Sequence, residues 1–505
     1  MTPPPTPSFD ALLHQLNGQS PERPVLRWFE PGGPVADAHW GSLSGPALAR
    51  CVETVAAGLL RAGVQAGDRV AWLGLNHPAQ VALLMALARL GGVLVPMNHR
   101  LSPVEWQSLL DDCRPDLLVH DAHFADAAKA LAVRALPVSA MEEHAGATAI
   151  PVLAQAECQA VLLVYTSGTT GRPKGAVHTQ GNLLANMAIA AEVQAMTPTD
   201  TVLTVLPLFH VGGLCIQTLP ALSVGAQVLL FTRFDAPATL ACLSQERPSL
   251  TLQVPATLQA LVHHPEWVHT DLSGLRAIWA GSSLLPVPLV KACHERGVPV
   301  CNVYGSTETG PFSIALSRAH ALDHIGSCGW PAPGVGVRLQ HGNGETVAQG
   351  EVGEILVRGP NVVRSYWPDL PACDTEGFFH SGDLALQAPD GSYTVVGRAK
   401  DMVISGGENI YPAEIENLLV QHPLVAECAV VGQDDARWGE VVVAVVVLRD
   451  LAQEEWAQAL QAFLDGRLAR YKWPRRWHRV EALPKTALGK VQKPELKAML
   501  AASAS

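Results

Sequence analysis

The sequence predicts an α/β protein, with a large N-terminal domain of parallel sheets flanked by helices, a small β-rich subdomain, and a small α+β C-terminal domain. Three observations carry that expectation. From about residue 45 to 310, short β-branched apolar runs alternate with helix-length segments, the pattern of strands buried on both faces. From about residue 325 to 398, glycine and proline become frequent and the strand-like runs short. A compact unit of mixed pattern then fills the remainder, and 505 residues is too long for a single core.

In chain order, strands are expected at Arg69–Gly74, Val93–Pro96, Leu117–His120, Val161–Tyr165, Val228–Phe231, Leu250–Val254, Ala277–Trp279 and Val298–Val303. Helices are expected between them at Pro46–Ala62, Pro78–Leu90 and Asn182–Val193. In such a fold the functional loops lie at the carboxyl ends of strands. Gly353–Gly359 reads as a strand of the β-rich subdomain, about 325–398. The tail is expected to hold a helix near Ala413–Gln421, strands near Glu427–Val431 and Val441–Leu448, and a helix near Glu454–Tyr471. The domains are therefore drawn at 1–399 and 400–505, with a hinge near 400.

Apolar residues make up 48% of the chain and charged ones 16%, with a formal net charge of −11. An acidic excess argues against nucleic acid or an anionic membrane as the main partner. The ten cysteines are scattered, form no C-x-x-C pair and mostly sit in apolar segments, as reduced core thiols do. The proline-rich start has no basic or apolar signal region. The most apolar stretch, Val81–Pro96, is broken by Arg89 and Gly91-Gly92 and is too short to span a bilayer. A soluble, cytoplasmic protein without membrane insertion is expected. A homodimer is among the assembly states left open.

Chemistry concentrates in a few loops. Tyr165-Thr-Ser-Gly-Thr-Thr-Gly-Arg-Pro-Lys-Gly175 follows the apolar run Val161-Leu-Leu-Val164 and holds three glycines, four Ser/Thr hydroxyls and two cations. Close backbone approach and dense donors suit a polyphosphate, although the spacing is not that of the Walker loop. Val303-Tyr-Gly-Ser-Thr-Glu-Thr-Gly310 delivers an aromatic, hydroxyls and one carboxylate at a strand end. Tyr304 can stack on a purine, Thr307 can donate to phosphate, and Glu308 is the hard oxygen ligand that Mg²⁺ takes alongside substrate phosphates. No nucleophile elbow, H-E-x-x-H or paired zinc ligands occur. The cluster His263-His264…His269 reads as a helix-to-loop connection without chemistry.

The first of these loops resembles the phosphate-binding signature of the adenylate-forming (AMP-binding) superfamily, which contains acyl-CoA and aryl-CoA synthetases, luciferases and peptide-synthetase adenylation domains. The resemblance runs from about residue 25 to 500, with the motifs in family order. It implies that Thr166, Ser167, Gly168, Thr169, Thr170 and Lys174 contact ATP phosphates, and that Ser282 and Ser283 in Ala280–Pro286 lie against adenine. Tyr304, Thr307 and Glu308 match the Y-G-x-T-E motif, with Glu308 the metal ligand. Asp383 in Phe379-His-Ser-Gly-Asp383 would accept from the ribose hydroxyls, and Arg398 would hold ribose or α-phosphate. Lys490, in Pro484-Lys-Thr-Ala-Leu-Gly-Lys490, matches the catalytic lysine of adenylation.

The resemblance also makes the tail mobile. Lys400 falls at the hinge, and Gly406 and Gly407 would line the pantetheine tunnel once the tail has turned. Arg475, in the basic stretch Arg467–Arg479, would meet the CoA nucleotide. His210 in Pro207-Leu-Phe-His-Val-Gly-Gly213 would wall an acyl pocket shared with Val211, Gly212, Gly213, Ser306 and Pro311, the two glycines leaving room for substrate. Phe234-Asp235 reads as a helix start, not as the acidic residue that amino-acid adenylation domains use.

The implied activity is ATP- and Mg²⁺-dependent ligation of a small-molecule carboxylic acid to coenzyme A through an acyl-adenylate, with catalysis by Lys490, Glu308, Thr307 and His210. The acid is expected to be a medium- or long-chain fatty acid or an aromatic acid. Loading of a carrier-protein pantetheine, or a catalytically silent nucleotide-binding homologue, are the alternatives.

Overall fold

A computed structural model of the chain describes all residues except 1–7, 33–39, 143–156, 167–172, 282–284, 406–407, 436, 450–453, 487–488 and 504–505. The N-terminal part is built on two large sheets. One is nine-stranded, with a parallel centre running Val300–Tyr304, Ala277–Gly281, Leu250–Gln253, Thr201–Thr204, Gln227–Phe231 and Pro24–Phe29, and antiparallel strands at both edges. The other is eight-stranded, with Val93–Pro96, Arg69–Leu73, Leu117–His120 and Ala135–Pro137 parallel to Ala160–Thr166.

Side chains of both sheets and their helices share one apolar core. Its clearest member is the helix Pro78–Leu90, in which every residue but Arg89 is buried, as a helix apolar all round requires. Arg89 is not stranded, because Asp10 and Glu53 pair with it at 3.4 and 3.8 Å. Among the described residues, no helix is long and apolar enough to cross a membrane.

Two elements differ from what the sequence predicts. Lys174–Thr179, where no strand is expected, is a strand that pairs antiparallel with Ala160–Thr166. Its run of mixed small, charged and apolar residues hid the pattern. The segment 325–398 is also not one unit. Gly336–Gln340, Val352–Arg358, Phe379–Gln387 and Tyr393–Arg398 form an antiparallel four-stranded sheet, but Trp330–Pro331 joins the nine-stranded sheet and Ser365–Tyr366 and Leu370–Pro371 join the eight-stranded one.

The tail has its own five-stranded sheet, built on the long hairpin Val425–Asp435 and Gly439–Leu448. Alternating valines send one row to a cluster with Leu460, Leu464 and Ile415, and the other to a cluster with Leu483, Leu496 and Leu500. The second tail helix is shorter than expected, Trp456–Leu464. Gly466 takes a left-handed φ of 70°, and the chain continues as the 3-10 turn Arg470–Lys472. All ten cysteines are free, and Cys113, Cys215, Cys242, Cys293, Cys301 and Cys328 are buried.

Candidate active site

The strand Val300–Tyr304 ends at an antiparallel edge of the large sheet, and residues 305–310 turn sharply after it. Ser306 N–H donates to Thr309 Oγ1 at 2.9 Å, and Thr309 N–H donates back to Ser306 Oγ at 3.3 Å. A Cβ at Gly305 would fall 2.2 Å from the carbonyl oxygen of Pro311, so only glycine lets the loop close. Asn361, wholly buried, clamps the far side by donating to Thr309 O at 2.6 Å. Val363 N–H donates to Glu308 O at 2.9 Å. With its backbone held, Glu308 presents Oε1 to the hydroxyls of Tyr366 at 3.0 Å and Thr166 at 3.4 Å. Lys174 lies 5.3 Å from the centre of the Tyr366 ring. Thr166 and Lys174, at the ends of two paired strands, thus meet the carboxylate loop at one point.

Asp383 and Arg398 lie 15 positions apart, and the sheet explains the spacing, since they are register partners on adjacent antiparallel strands. Arg398 Nε donates to Asp383 Oδ1 at 2.8 Å, and the Tyr304 hydroxyl donates to Oδ2 at 2.9 Å. Gly382, at φ 68°, turns the chain so that Asp383 N–H reaches Ser381 Oγ at 3.0 Å. Burial pushes the Asp383 carboxyl up, against the Arg398 guanidinium and the Tyr304 bond that hold it down. Burial, joined by the Asp383 charge, raises Tyr304 well above the ordinary phenol range.

The tail closes over this group. Lys485 and Val491 pair across a turn, Lys490 N–H donates to Thr486 Oγ1 at 3.2 Å, and Gly489 at φ 79° lets the chain reverse. A Cβ there would stand 2.9 Å from Ala256 Cβ of the N-terminal part, so glycine also allows close docking. Lys485 and Lys493 are held within the tail by Glu427 and Glu416 at 2.7 and 2.9 Å. Lys490 has no such partner within 4 Å among the described residues. Burial lowers its ammonium pKa, aided by Arg398 and opposed by the charges of Asp383 and Glu308. Its field also reaches His210, which burial and Lys490 together hold neutral, with a pKa of about 4.

His210 caps the short helix Val211–Gly213, its Nδ1 accepting from Gly212 N–H at 3.1 Å. That bond leaves Nε2 to carry the proton. The expectation that both glycines leave room needs correction at one position. A Cβ at Gly213 would lie 2.4 and 2.6 Å from the carbonyl oxygens of Pro207 and Leu206, so its missing side chain admits backbone. Gly212 is crowded only by the His210 ring, at 3.2 Å. Val211 is buried, and Ser306 uses its hydroxyl within its own turn with Thr309.

Thr166, Lys174, Tyr304, Thr307, Glu308, Asp383, Arg398, Lys490 and His210 are all described, and Thr307 is buried. Ser167, Gly168, Thr169, Thr170, Ser282, Ser283, Gly406 and Gly407 lie outside the described residues. Lys400 is exposed in the 3-10 turn Ala399–Asp401. The basic stretch is mostly held by its own domain: Lys472 pairs with Glu414 at 2.8 Å, Arg476 with Asp435 at 3.2 Å, and Arg470 with Asp465 at 3.6 Å. Arg475 is exposed and stacks on Trp438 at 4.1 Å. Asp235 accepts from Ala238 N–H at 2.9 Å and caps the helix Ala236–Gln245, as expected. Asn361 and Tyr366 escaped the sequence analysis, because a lone Asn or Tyr between short strands carries no periodic signal.

The description "AMP-binding enzyme" belongs to the family model that matches residues 13–367, and the AMP-binding enzyme C-terminal domain model matches residues 414–490. The chain is 44% identical over 491 residues to the indoleacetate–CoA ligase of Aromatoleum aromaticum, covering 94% of this chain and 96% of that one. It is 43% identical over 468 residues to a feruloyl-CoA synthase from an Amycolatopsis species, covering 92% and 95%. Among solved structures, an anthranilate CoA ligase in complex with anthranoyl-AMP superposes with a TM-score of 0.90 at 26% identity, covering 99% of each chain. The o-succinylbenzoate CoA synthetase of Bacillus subtilis with its acyl-adenylate gives 0.85 at 31% identity, covering 98% and 99%.

Proposed function

The chain belongs to the AMP-binding enzyme family, and from that premise we propose that it ligates an aromatic carboxylic acid to coenzyme A through an acyl-adenylate. One observation carries the assignment of roles. Lys490, from the tail, stands within electrostatic reach of Asp383, Glu308, Arg398 and His210, which come from four separate elements of the N-terminal part.

A carboxylate resists nucleophilic attack because its charge repels the nucleophile and oxide leaves poorly. In the first half-reaction a substrate carboxylate oxygen bonds to the α-phosphorus of ATP and the bond to pyrophosphate breaks. Lys490 opposes the negative charge that builds there, as a preorganised cation in a buried site. Asp383 takes the ribose hydroxyls, and Arg398 is released toward ribose or α-phosphate. Thr166, Lys174 and Thr307 donate to phosphate oxygens. His210, neutral, walls the acid beside its carboxylate.

The donor set suits Mg²⁺, which binds through one or two carboxylates completed by substrate phosphates. Glu308 offers one carboxylate, flanked by the hydroxyls of Thr166 and Tyr366. When bound, the ion neutralises the phosphate charge. In the second half-reaction the CoA thiolate attacks the acyl carbonyl and AMP leaves. For that step the tail turns at Lys400, withdrawing Lys490 and bringing the segment at Gly406-Gly407 to the pantetheine, with Arg475 toward the CoA nucleotide. The aromatic preference rests on the named substrates of the relatives, which favour aryl acids over the fatty-acid alternative and free CoA over a carrier protein. A cytoplasmic location fits an enzyme that consumes ATP and CoA and carries free thiols.

Pyrophosphate release measured across fatty, benzoic, indoleacetic and hydroxycinnamic acids, with and without CoA, tests the proposal. Release with aryl acids, and thioester only when CoA is added, is the expected outcome. Release with fatty acids alone would overturn the substrate class, and release without thioester would overturn the acceptor.

A further inference from the structure

The segment 360–366 reaches Glu308 twice, through Val363 N–H on its backbone oxygen and through the Tyr366 hydroxyl on its carboxylate. A side chain far earlier in the sequence holds that segment from the opposite side. Asn182, in the first turn of the helix Gln180–Val193, donates through Nδ2 to Pro360 O at 2.8 Å and to Val362 O at 3.0 Å. Between those two carbonyls the Asn361 side chain turns the other way and donates to Thr309 O. Asn182 is buried, and Asn361, Val362 and Val363 are wholly so. A carbonyl deprived of its donor here would be left unsatisfied, at a cost.

The Asn182 amide is fully committed. Its Oδ1 accepts from Thr179 N–H at 3.1 Å and from Thr179 Oγ1 at 3.0 Å, and its own N–H donates to Thr179 Oγ1 at 3.2 Å, a reciprocal cap on the helix start. A flipped amide would set its oxygen against two carbonyls and its NH₂ against an N–H donor. One amide therefore caps the helix with its oxygen and grips the 360–363 segment with its nitrogen.

Thr179 ends the strand Lys174–Thr179, whose first residue is the cation proposed for the phosphates. Tyr366 pairs with Ala176 of the same strand. The segment is thus fixed to this strand at Ala176 and, just beyond its end, at Asn182, and it holds Glu308 between those two attachments. The spacing of Glu308 from Lys174 depends on both. An Mg²⁺ ion shared by a carboxylate and nucleotide phosphates demands near-ideal octahedral geometry and tolerates little error in that spacing.

We infer that Asn182 is a positioning residue for the metal-binding carboxylate: it ties the 360–363 segment, and Glu308 through it, to the strand that carries Lys174. This rests on the reading above, in which Glu308 takes Mg²⁺, and adds a residue that acts through the backbone of two intervening loops.

Calorimetric titration of the full-length protein with ATP, with and without Mg²⁺, reads the site apart from turnover. In Asn182→Ala the affinity for Mg²⁺-ATP should fall about tenfold, the scale of losing a group that orients a metal ligand, while metal-free ATP binding should change by less than about twofold. In steady state the KM for Mg²⁺ should rise with it, and kcat for pyrophosphate release at saturating Mg²⁺ should stay within about threefold. Glu308→Gln, alone and combined with Asn182→Ala, completes a cycle. The double variant should bind Mg²⁺-ATP no more weakly than Glu308→Gln, because both changes remove the same contact. If Asn182→Ala does not fold, Asn182→Asp, which keeps the cap on Thr179 and loses the two donations, is read in the same way. Equal losses with and without Mg²⁺, losses that add to those of Glu308→Gln, or unchanged Mg²⁺-ATP binding would each overturn the inference and leave Asn182 a support of the fold alone. Unchanged Mg²⁺-ATP binding in Glu308→Gln itself would instead overturn the metal assignment, and the role of Asn182 with it.

Discussion

The hydroxyl of Tyr366 donates a 3.0 Å hydrogen bond to Oε1 of Glu308, so the carboxylate proposed to hold the divalent cation is aimed by a residue 58 positions away. Tyr366 sits in a two-residue strand that pairs with Lys174–Thr179, and its ring faces Lys174. Tyr366→Phe keeps the ring and removes the bond. A hydrogen bond to a charged group contributes about 1.5–3 kcal/mol, so Mg²⁺-dependent ATP binding should weaken by about 10- to 100-fold. Calorimetric titration of ATP with and without Mg²⁺ checks this, and an equal loss in both titrations would sink the positioning role.

Asp383 is held by Arg398 on one oxygen and Tyr304 on the other, a pairing that ribose hydroxyls would have to share or replace. Asp383→Asn removes the charge and one acceptor. ATP affinity should fall about tenfold or more, and the preference for ATP over 2′-deoxy-ATP should shrink toward one, as expected when an acceptor matched to a hydroxyl is lost. Binding competition between the two nucleotides measures it. A preference that persists in the variant would place the ribose elsewhere.

The strands and helices were legible wherever the apolar period was strong. Val93–Pro96, Leu117–His120 and Pro78–Leu90 fall at the expected residues because burial on all sides leaves an unbroken apolar run. Lys174–Thr179 and Ser365–Tyr366 were not legible. Their strand character comes from pairing with neighbours across the sheet, not from their own composition. In the site, residues carried by dense motifs were visible. Asn361 and Tyr366 were not, because each acts through hydrogen bonds to a segment distant in sequence. Within the basic stretch, Lys472 and Arg476 have acidic partners that only folding brings near, whereas Arg475 is left exposed.

Lys490 combines a docked backbone with an ammonium whose pKa burial lowers. Lys490→Ala should slow acid-dependent pyrophosphate release by about 10²–10³-fold, the scale of losing one preorganised electrostatic contact. Thioester formation from a supplied acyl-adenylate should be spared; equal loss in both would end the assignment to adenylation. A lowered folded pKa means that charge, and adenylation with it, is lost as pH rises through a value below 10.5. Lys490→Arg stays protonated, so whatever activity it retains should lack that alkaline decline. Rate–pH profiles of the two half-reactions separate these outcomes.

His178 lies on the strand that follows the phosphate-binding signature, wholly buried, and neither ring nitrogen has a partner among the described residues. Burial lowers its pKa from 6.5 to about 4. Above pH 6.5 the ring is neutral whether the chain is folded or unfolded, and it adds nothing to the pH dependence of stability. Between 6.5 and about 4 the unfolded chain takes up a proton that the native ring refuses, so stability is lost as pH falls through that window. At about 1.4 kcal/mol per pH unit in mid-window, the full loss from this one group is roughly 3 kcal/mol. His99 and His210, also lowered to about 4, act in the same direction, so acid lability should set in well above the carboxylate range. His178→Leu keeps the volume while removing both the proton site and two buried polar atoms without partners. It should be at least as stable as the parent at pH 7, and its melting temperature should fall less between pH 7 and pH 5. Parallel thermal melts at pH 7, 6 and 5 decide it: parallel declines in the two proteins would mean that His178 takes up its proton in the folded state as readily as in the unfolded one.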